Sequence, residues 1–253
     1  MVFTSGSTGT PKAVVIEHRL FATNALTRCR SQVLPAKARV LQLASPAFDA
    51  SIAEILFTLV AGGCACVPRE VDRYTNIVEY VRYFAVNVLD LTPSVNRGLQ
   101  PDELPHLRTL ILVGEPMNEG DIATWTGNVD LVNAYGPSEC FIETSSQQPV
   151  TISTDHRNTG IAPCASCWVV DPENHNALLP IVAVGELLVE GPIVGRGYLK
   201  EPEKTAAEFI TAPRWLQRIR GAQPHDIYKT SDLVQYAPPP LDGFLLYHGR
   251  EYT

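Results

Sequence analysis

An α/β fold is what this sequence predicts: a mainly parallel sheet with flanking helices, plus a smaller β-rich, barrel-like subdomain. Three observations lead there. From residue 39 to residue 135, short β-prone runs alternate with helical patterns, the order that builds a parallel sheet. Past residue 150 the alternation gives way to β-like runs set among Pro and Gly turns. The composition, 45% apolar and 19% charged over 253 residues, suits a globular chain with a sizeable core. These observations place an α/β part at 1–150 and a β-rich part at 151–253.

Each element has its local reason. Val2-Phe3-Thr4 and Ala13-Val14-Val15-Ile16 are β-prone runs on either side of a loop of hydroxyls and glycines. Residues 17–31 read as a helix with Leu20, Ala25, Leu26 and Cys29 near one face. Arg39-Val40-Leu41-Gln42-Leu43 reads as a strand. Residues 49–61 carry an apolar stripe (Ile52, Ile55, Leu56, Leu59), capped by Asp49 or Ser51 and ended by Gly62-Gly63. Strands over 64–67, 86–91, 108–113 and 129–135 then alternate with helices over 75–84 and 119–126. In the second part, 168–171 and 186–189 are β-like, with one helix from Glu203 to about Ile210. Pro238-Pro239-Pro240 reads as a surface loop.

The bulk numbers narrow the function classes. A net charge of −7 gives no electrostatic footprint for nucleic acid or an anionic membrane. There is no apolar run of bilayer length and no cleavable signal, so the expected location is cytoplasmic. Cys164-Ala165-Ser166-Cys167 has a redox or zinc reading. The other close pair, Cys64 and Cys66, is wrongly spaced for a zinc ribbon, and buried small hydrophobes are the better reading.

Four stretches carry chemistry. In Ser5-Gly6-Ser7-Thr8-Gly9-Thr10-Pro11-Lys12, glycines free backbone N–H groups to face an anion, hydroxyls add donors and Lys12 adds a point charge. An ordinary polar turn would look similar. Phe48-Asp49-Ala50-Ser51 offers a carboxylate that also suits a helix N-cap. Asn133-Ala134-Tyr135-Gly136-Pro137-Ser138-Glu139 follows a strand at its carboxyl end, where ligands of open α/β sheets bind. Tyr228-Lys229-Thr230-Ser231-Asp232-Leu233, with Gly249-Arg250 beyond it, offers a carboxylate for vicinal hydroxyls or a surface ion pair.

In this order, these stretches resemble the adenylate-forming (AMP-binding) superfamily, and in particular fungal-type nonribosomal peptide synthetase adenylation domains. Gly185 to Pro192, Gly195-Arg196-Gly197-Tyr198-Leu199 and Trp168-Val169-Val170-Asp171 add family markers with little chemistry of their own. The resemblance implies part of the large N-terminal subdomain of such an enzyme. It further implies ATP and Mg²⁺ as cofactors, an amino-acid substrate, and carrier-protein and condensation domains as partners, the carrier bearing phosphopantetheine. Lys12 and Glu139 would be catalytic, Glu139 also holding the metal. Thr4, Ser5, Gly6, Ser7, Thr8 and Gly9 would hold phosphates. Gly114, Glu115, Asn133, Ala134 and Tyr135 would flank adenine, Ser138 the α-phosphate, and Asp232 with Arg250 the ribose. Asp49 would anchor the substrate amine, with Ala50, Ala53, Asp90, Ile111, Val113, Ala134, Ile142 and Glu143 lining the rest of the pocket. Asp90 and Glu143 would then face the side chain: either one holds the other protonated, or the substrate side chain brings donors or a positive charge, or Asp90 turns aside to solvent or a backbone N–H.

Some positions depart from the family pattern. Ala13 stands where Gly usually follows Pro-Lys, Val113 replaces a Gly, Ser231 replaces the Gly before Asp232, and Tyr252 takes the place of the hinge Asp. The family's portion before the loop and its C-terminal catalytic-lysine subdomain lie outside these residues, so the expectation is a fragment that is inactive alone. A non-catalytic nucleotide-binding remnant or gene fragment is one alternative. An acyl-CoA ligase is the other, disfavoured by Asp49.

Overall fold

The computed structural model describes residues 1–4, 11–31, 33–35, 37–221, 226–241 and 243–250. The chain forms two compact units. A β unit comprises Met1–Asn24, Gly136–Ser146 and Arg157–Thr253, and an α/β unit comprises Ala25–Tyr135 and Gln147–His156. The division is therefore not one step at residue 150. The opening residues join the β unit because residues 195–199 lie along them: Val15 N–H donates to Gly197 O, and Leu199 N–H donates to Ala13 O.

The chain begins with β1 (Val2–Thr4) and β2 (Lys12–Val14), antiparallel, with Thr4 opposite Lys12. Helix α1 (His18–Arg30) follows. The α/β unit then builds β3 (Arg39–Leu41), helix α2 (residues 50–60), β4 (Cys64–Cys66) and α3 (Ile77–Tyr83). Next come β5 (Val88–Leu91), α4 (Pro93–Asn96), β6 (Thr109–Leu112), α5 (Glu119–Trp125) and β7 (Asp130–Tyr135). Five neighbouring strands of its sheet run β4-β3-β5-β6-β7, parallel to one another, as the alternating pattern predicts.

The two faces of this sheet differ. Leu89, Leu91, Leu110, Leu112 and Leu131 alternate onto one face and pack with Val81 of α3 and with Ile122 and Trp125 of α5. Asp90, Ile111 and Val132 are register partners on the other face. Helix α5 is fixed at its start by a capping box in which Asn118 and Asp121 bond each other's backbone N–H.

Helix α2 departs from its expected phase. Residues Ala53–Phe57 form a π turn, which inserts one residue into the helical repeat. The buried face is consequently Ala53, Glu54, Phe57 and Thr58, while Leu56 and Leu59 point outward. The expected N-cap does form: Asp49 Oδ1 accepts from Ala50 N–H at 2.9 Å.

The remaining strands are β8 (Ser145–Gln147), β9 (Asn158–Gly160), β10 (Ser166–Asp171), β11 (Asn174–Leu178) and β12 (Gly185–Glu190). Helix α6 (Pro202–Glu208), β13 (Phe209–Ile210), α7 (Arg214–Arg220), β14 (Ile227–Tyr236) and β15 (Leu245–Arg250) complete the β unit. Its antiparallel sheet runs β11-β10-β12-β14-β15-β9, with β13 also on β14. This antiparallel sheet is the smaller β-rich part that the sequence predicts. Helix α7 is an addition to the one helix expected there. It seats Leu216 with Val170 and Leu188 of the sheet, and its Trp215 ring lies 5.1 Å from that of Trp168. None of the six cysteines is joined in a disulfide.

Candidate functional site

The two residues expected to act on phosphate and metal meet in the β unit. Glu139 opens out of a short 3-10 turn, Ser138–Cys140, immediately after Pro137. Its Oε1 accepts from the Tyr198 hydroxyl at 2.7 Å. The same hydroxyl contacts Glu208, whose Oε1 lies 2.8 Å from Lys12 Nζ. Lys12 also sits over the Tyr198 ring, 4.7 Å from its centroid. One cluster thus holds a lysine from β2, an acid from the turn after Pro137, a tyrosine from the 195–199 run and a glutamate ending α6.

The electrostatics follow from that enclosure. Burial raises the Glu139 carboxyl above the ordinary Glu range, opposed chiefly by the Tyr198 hydroxyl. Tyr198 is itself pushed well above the usual phenol range, first by burial and then by the Glu139 charge. Gly195 supports the arrangement, since its N–H donates to the Glu139 carbonyl at 2.8 Å.

Tyr198 and Glu208 were missed by sequence reasoning. Tyr198 lies in a run read only as a family marker. Glu208 is an unremarkable helix-terminal acid, tied to a residue 196 positions away.

Asp232 and Arg250 also come together, as register partners of β14 and β15. Asp232 is buried, and its Oδ1 accepts from Arg250 Nε at 3.0 Å and from the Tyr247 hydroxyl at 3.5 Å. Burial and the Asp232 charge push the Tyr247 hydroxyl up to about 12.

Just before Asp232, Ser231 has a φ of 60°, in the left-handed region where glycine is favoured. The strain explains why a Gly suits this position. Ser231→Gly is expected to stabilise the fold by about 0.5–1 kcal/mol, the left-handed strain relieved less the glycine's own entropic cost. Thermal unfolding checks it, and an unchanged or lower midpoint would refute the strain argument.

In the β unit, Ile142 and Phe141 take consecutive positive φ values of 76° and 53°. Glu143 N–H donates back to Phe141 O at 3.0 Å, closing this tight turn directly after Glu139. Two strained non-glycine residues beside a buried acid mark a segment held by its surroundings.

In the α/β unit, Asp49, Ala50 and Ala53 lie at the start of α2, while Asp90, Ile111, Val113 and Ala134 follow one face of the sheet. Gly114 has a φ of 84°, the turn that a residue without Cβ permits. Glu115 is exposed and accepts from the Ser94 N–H at 2.9 Å, which ties it to the first turn of α4. Asn133 donates to the His156 carbonyl at 3.3 Å, and Tyr135 is half-buried at the end of β7. Thr4 lies opposite Lys12. Ser5, Gly6, Ser7, Thr8 and Gly9, like Tyr252, lie outside the described residues.

Two buried groups below Asp90 were not anticipated. Arg28, in the last turn of α1, places Nη2 3.1 Å from Asp90 Oδ2. Glu54 accepts from the Leu43 and Ala44 N–H groups and from Gln42 Nε2. Burial, reinforced by the Asp90 charge, raises its carboxyl to about 8.

The model of the AMP-binding enzyme family matches residues 1–199. The chain belongs to that family. N-benzoylphenylalaninol synthetase apmA of Penicillium brevicompactum is 50% identical over 253 residues, covering 100% of this chain and 10% of that protein. Nonribosomal peptide synthetase fmqA of Aspergillus fumigatus is 49% identical over 253 residues, covering 99% of this chain and 6% of that protein. This AMP-binding chain is thus homologous to small segments of much longer fungal synthetases. Its fold matches the Vibrio cholerae adenylation domain AlmE, solved with glycyl-adenosine-5'-phosphate. The TM-score is 0.81 at 24% identity, over 99% of this chain and 47% of that one. The family and fold expected from the motifs are therefore correct. No helix among the described residues is long and apolar enough to cross a membrane.

Proposed function

We propose that this chain is part of a domain that activates an amino acid by adenylation. The substrate carboxylate attacks the α-phosphorus of ATP, forming aminoacyl-AMP and releasing pyrophosphate. The acyl group then passes to the phosphopantetheine thiol of a carrier domain, with AMP leaving. The observation that carries this reading is the hydrogen-bonded cluster of Lys12, Glu208, Tyr198 and Glu139. It joins a phosphate-type lysine to a buried acid, and those two residues come from separate motifs.

A divalent cation suits this donor set. No group of three or more His, Cys, Asp or Glu able to hold a metal occurs among the described residues. Glu139 is a single hard oxygen donor, and Mg²⁺ is commonly held by one or two carboxylates together with substrate phosphates. When bound, the ion would neutralise phosphate charge. For its part, Lys12 exchanges Glu208 for phosphate oxygens, and Tyr198 keeps Glu139 oriented. Asp232 accepts from ribose hydroxyls, and Asp49 accepts from the substrate α-ammonium.

The test is calorimetry with MgATP on the purified full-length protein, together with ATP–pyrophosphate exchange driven by a panel of amino acids and their des-amino counterparts. We expect binding, and exchange that requires the α-amine. Equal exchange with des-amino acids would transfer the reading to acyl-CoA ligation. Failure to bind MgATP would overturn it.

A further inference from the structure

We propose that Arg28 is a specificity-determining residue of the amino-acid pocket, holding Asp90 in an ion pair so that the pair selects against charged side chains. This rests on the adenylation reading above. Two carboxylates facing a substrate side chain would favour a cation, and the sequence alone offers Asp90 as one of them. Within the α/β unit, however, Asp90 already has a cation against it. The side chains of Arg28 and Asp90 are only 3% and 6% exposed, with 3.1 Å between Nη2 and Oδ2. The guanidinium carbon lies 5.8 Å from the centroid of the Phe57 ring, so the arginine is packed as well as paired.

Register places that pair at a defined depth. Asp90 lies beside Ile111, and Ile111 beside Val132; the pocket-lining residues Val113 and Ala134 follow two positions further toward the carboxyl ends of those strands. On this face the ion pair forms the floor and the small and branched side chains form the walls. A substrate ammonium reaching the floor meets Asp90 and Arg28 together, so attraction and repulsion largely offset. A substrate carboxylate meets the same balance with the sign reversed. Neither partner is readily displaced, because separating a buried pair leaves an uncompensated charge. Arg28 lies 62 positions before Asp90 on a different element and carries no motif that would announce this role.

The experiment compares kcat/KM ratios from pyrophosphate exchange in the full-length protein. Arg28→Gln keeps a donor for Asp90 but removes the positive charge. The ratio of ornithine or lysine to glutamine should then rise about tenfold or more over wild type, tenfold being the equivalent of one pKa unit of charge interaction. Asp90→Asn keeps an acceptor for Arg28 and removes the negative charge, so the ratio of glutamate to glutamine should rise instead. Arg28→Lys, which preserves the pair's charge, should leave both ratios unchanged. Opposite shifts in the first two variants support the proposal, since a merely structural role would not reverse sign. If wild type exchanges but both ratios stay fixed in the variants, the proposal is overturned and the adenylation reading stands. If wild type exchanges with no amino acid at all, both fall.

Discussion

Gly136→Ala is expected to lower the unfolding midpoint by roughly 5–10 °C, corresponding to about 2–3 kcal/mol at the upper end of overpacking costs. The reason is steric. A Cβ at this position would lie 2.4 Å from the Ile142 carbonyl oxygen, 2.8 Å from Thr144 N and 2.9 Å from Glu143 Cα. All three are main-chain atoms, so no side-chain rotation can make room. The strand after residue 142 must move, and it carries Ile142 and Glu143 with it. Amino-acid-dependent exchange should therefore fall even at temperatures where the variant stays folded. A Gly136→Ala protein with an unchanged midpoint would show that this backbone contact is slack.

Glu139→Gln is expected to do the opposite to stability and more to rate. The amide is isosteric and still offers an oxygen to the Tyr198 hydroxyl, while the burial penalty on a carboxylate disappears. Its melting temperature should hold or rise. Exchange should drop ~100- to 1000-fold, the usual cost of removing one preorganised electrostatic contact. The apparent Mg²⁺ requirement should also shift to higher concentration. Exchange at the wild-type rate would remove Glu139 from the chemistry and leave it a structural acid.

Most of the α/β unit was legible because its signals are local. The Leu-rich runs of β5 and β6 alternate with the helical patterns of α3 and α5. What escaped was set by longer-range or non-ideal effects. The stripe of α2 was assigned to the wrong face because a π turn at Ala53–Phe57 shifts the phase, and that turn has no signature in hydrophobic periodicity. Helix α7 hides in an Arg-rich segment whose apolar face emerges only when Leu216 meets the sheet. At the candidate site, Lys12, Glu139, Asp232 and Arg250 were found through motifs. Tyr198, Glu208 and Arg28 were not, because each acquires its place from a partner far away in the chain. A single sequence records which residues are present but not which distant ones they touch.

The interleaving of the two units bears on the order in which a ribosome can complete them. The α/β unit is drawn almost entirely from one continuous stretch, Ala25–Tyr135, closed by Gln147–His156. Its five parallel strands can assemble while the rest of the chain is still being made. The β unit cannot. Its first two strands emerge before the α/β unit, yet the residues that line them up, 195–199, and the strand that pairs with β9, Leu245–Arg250, come far later. During translation β1 and β2 are therefore an exposed hairpin without its neighbours, a species prone to mispairing. Lys12 is synthesised well before Tyr198 and Glu208, the two residues that enclose it in the folded unit.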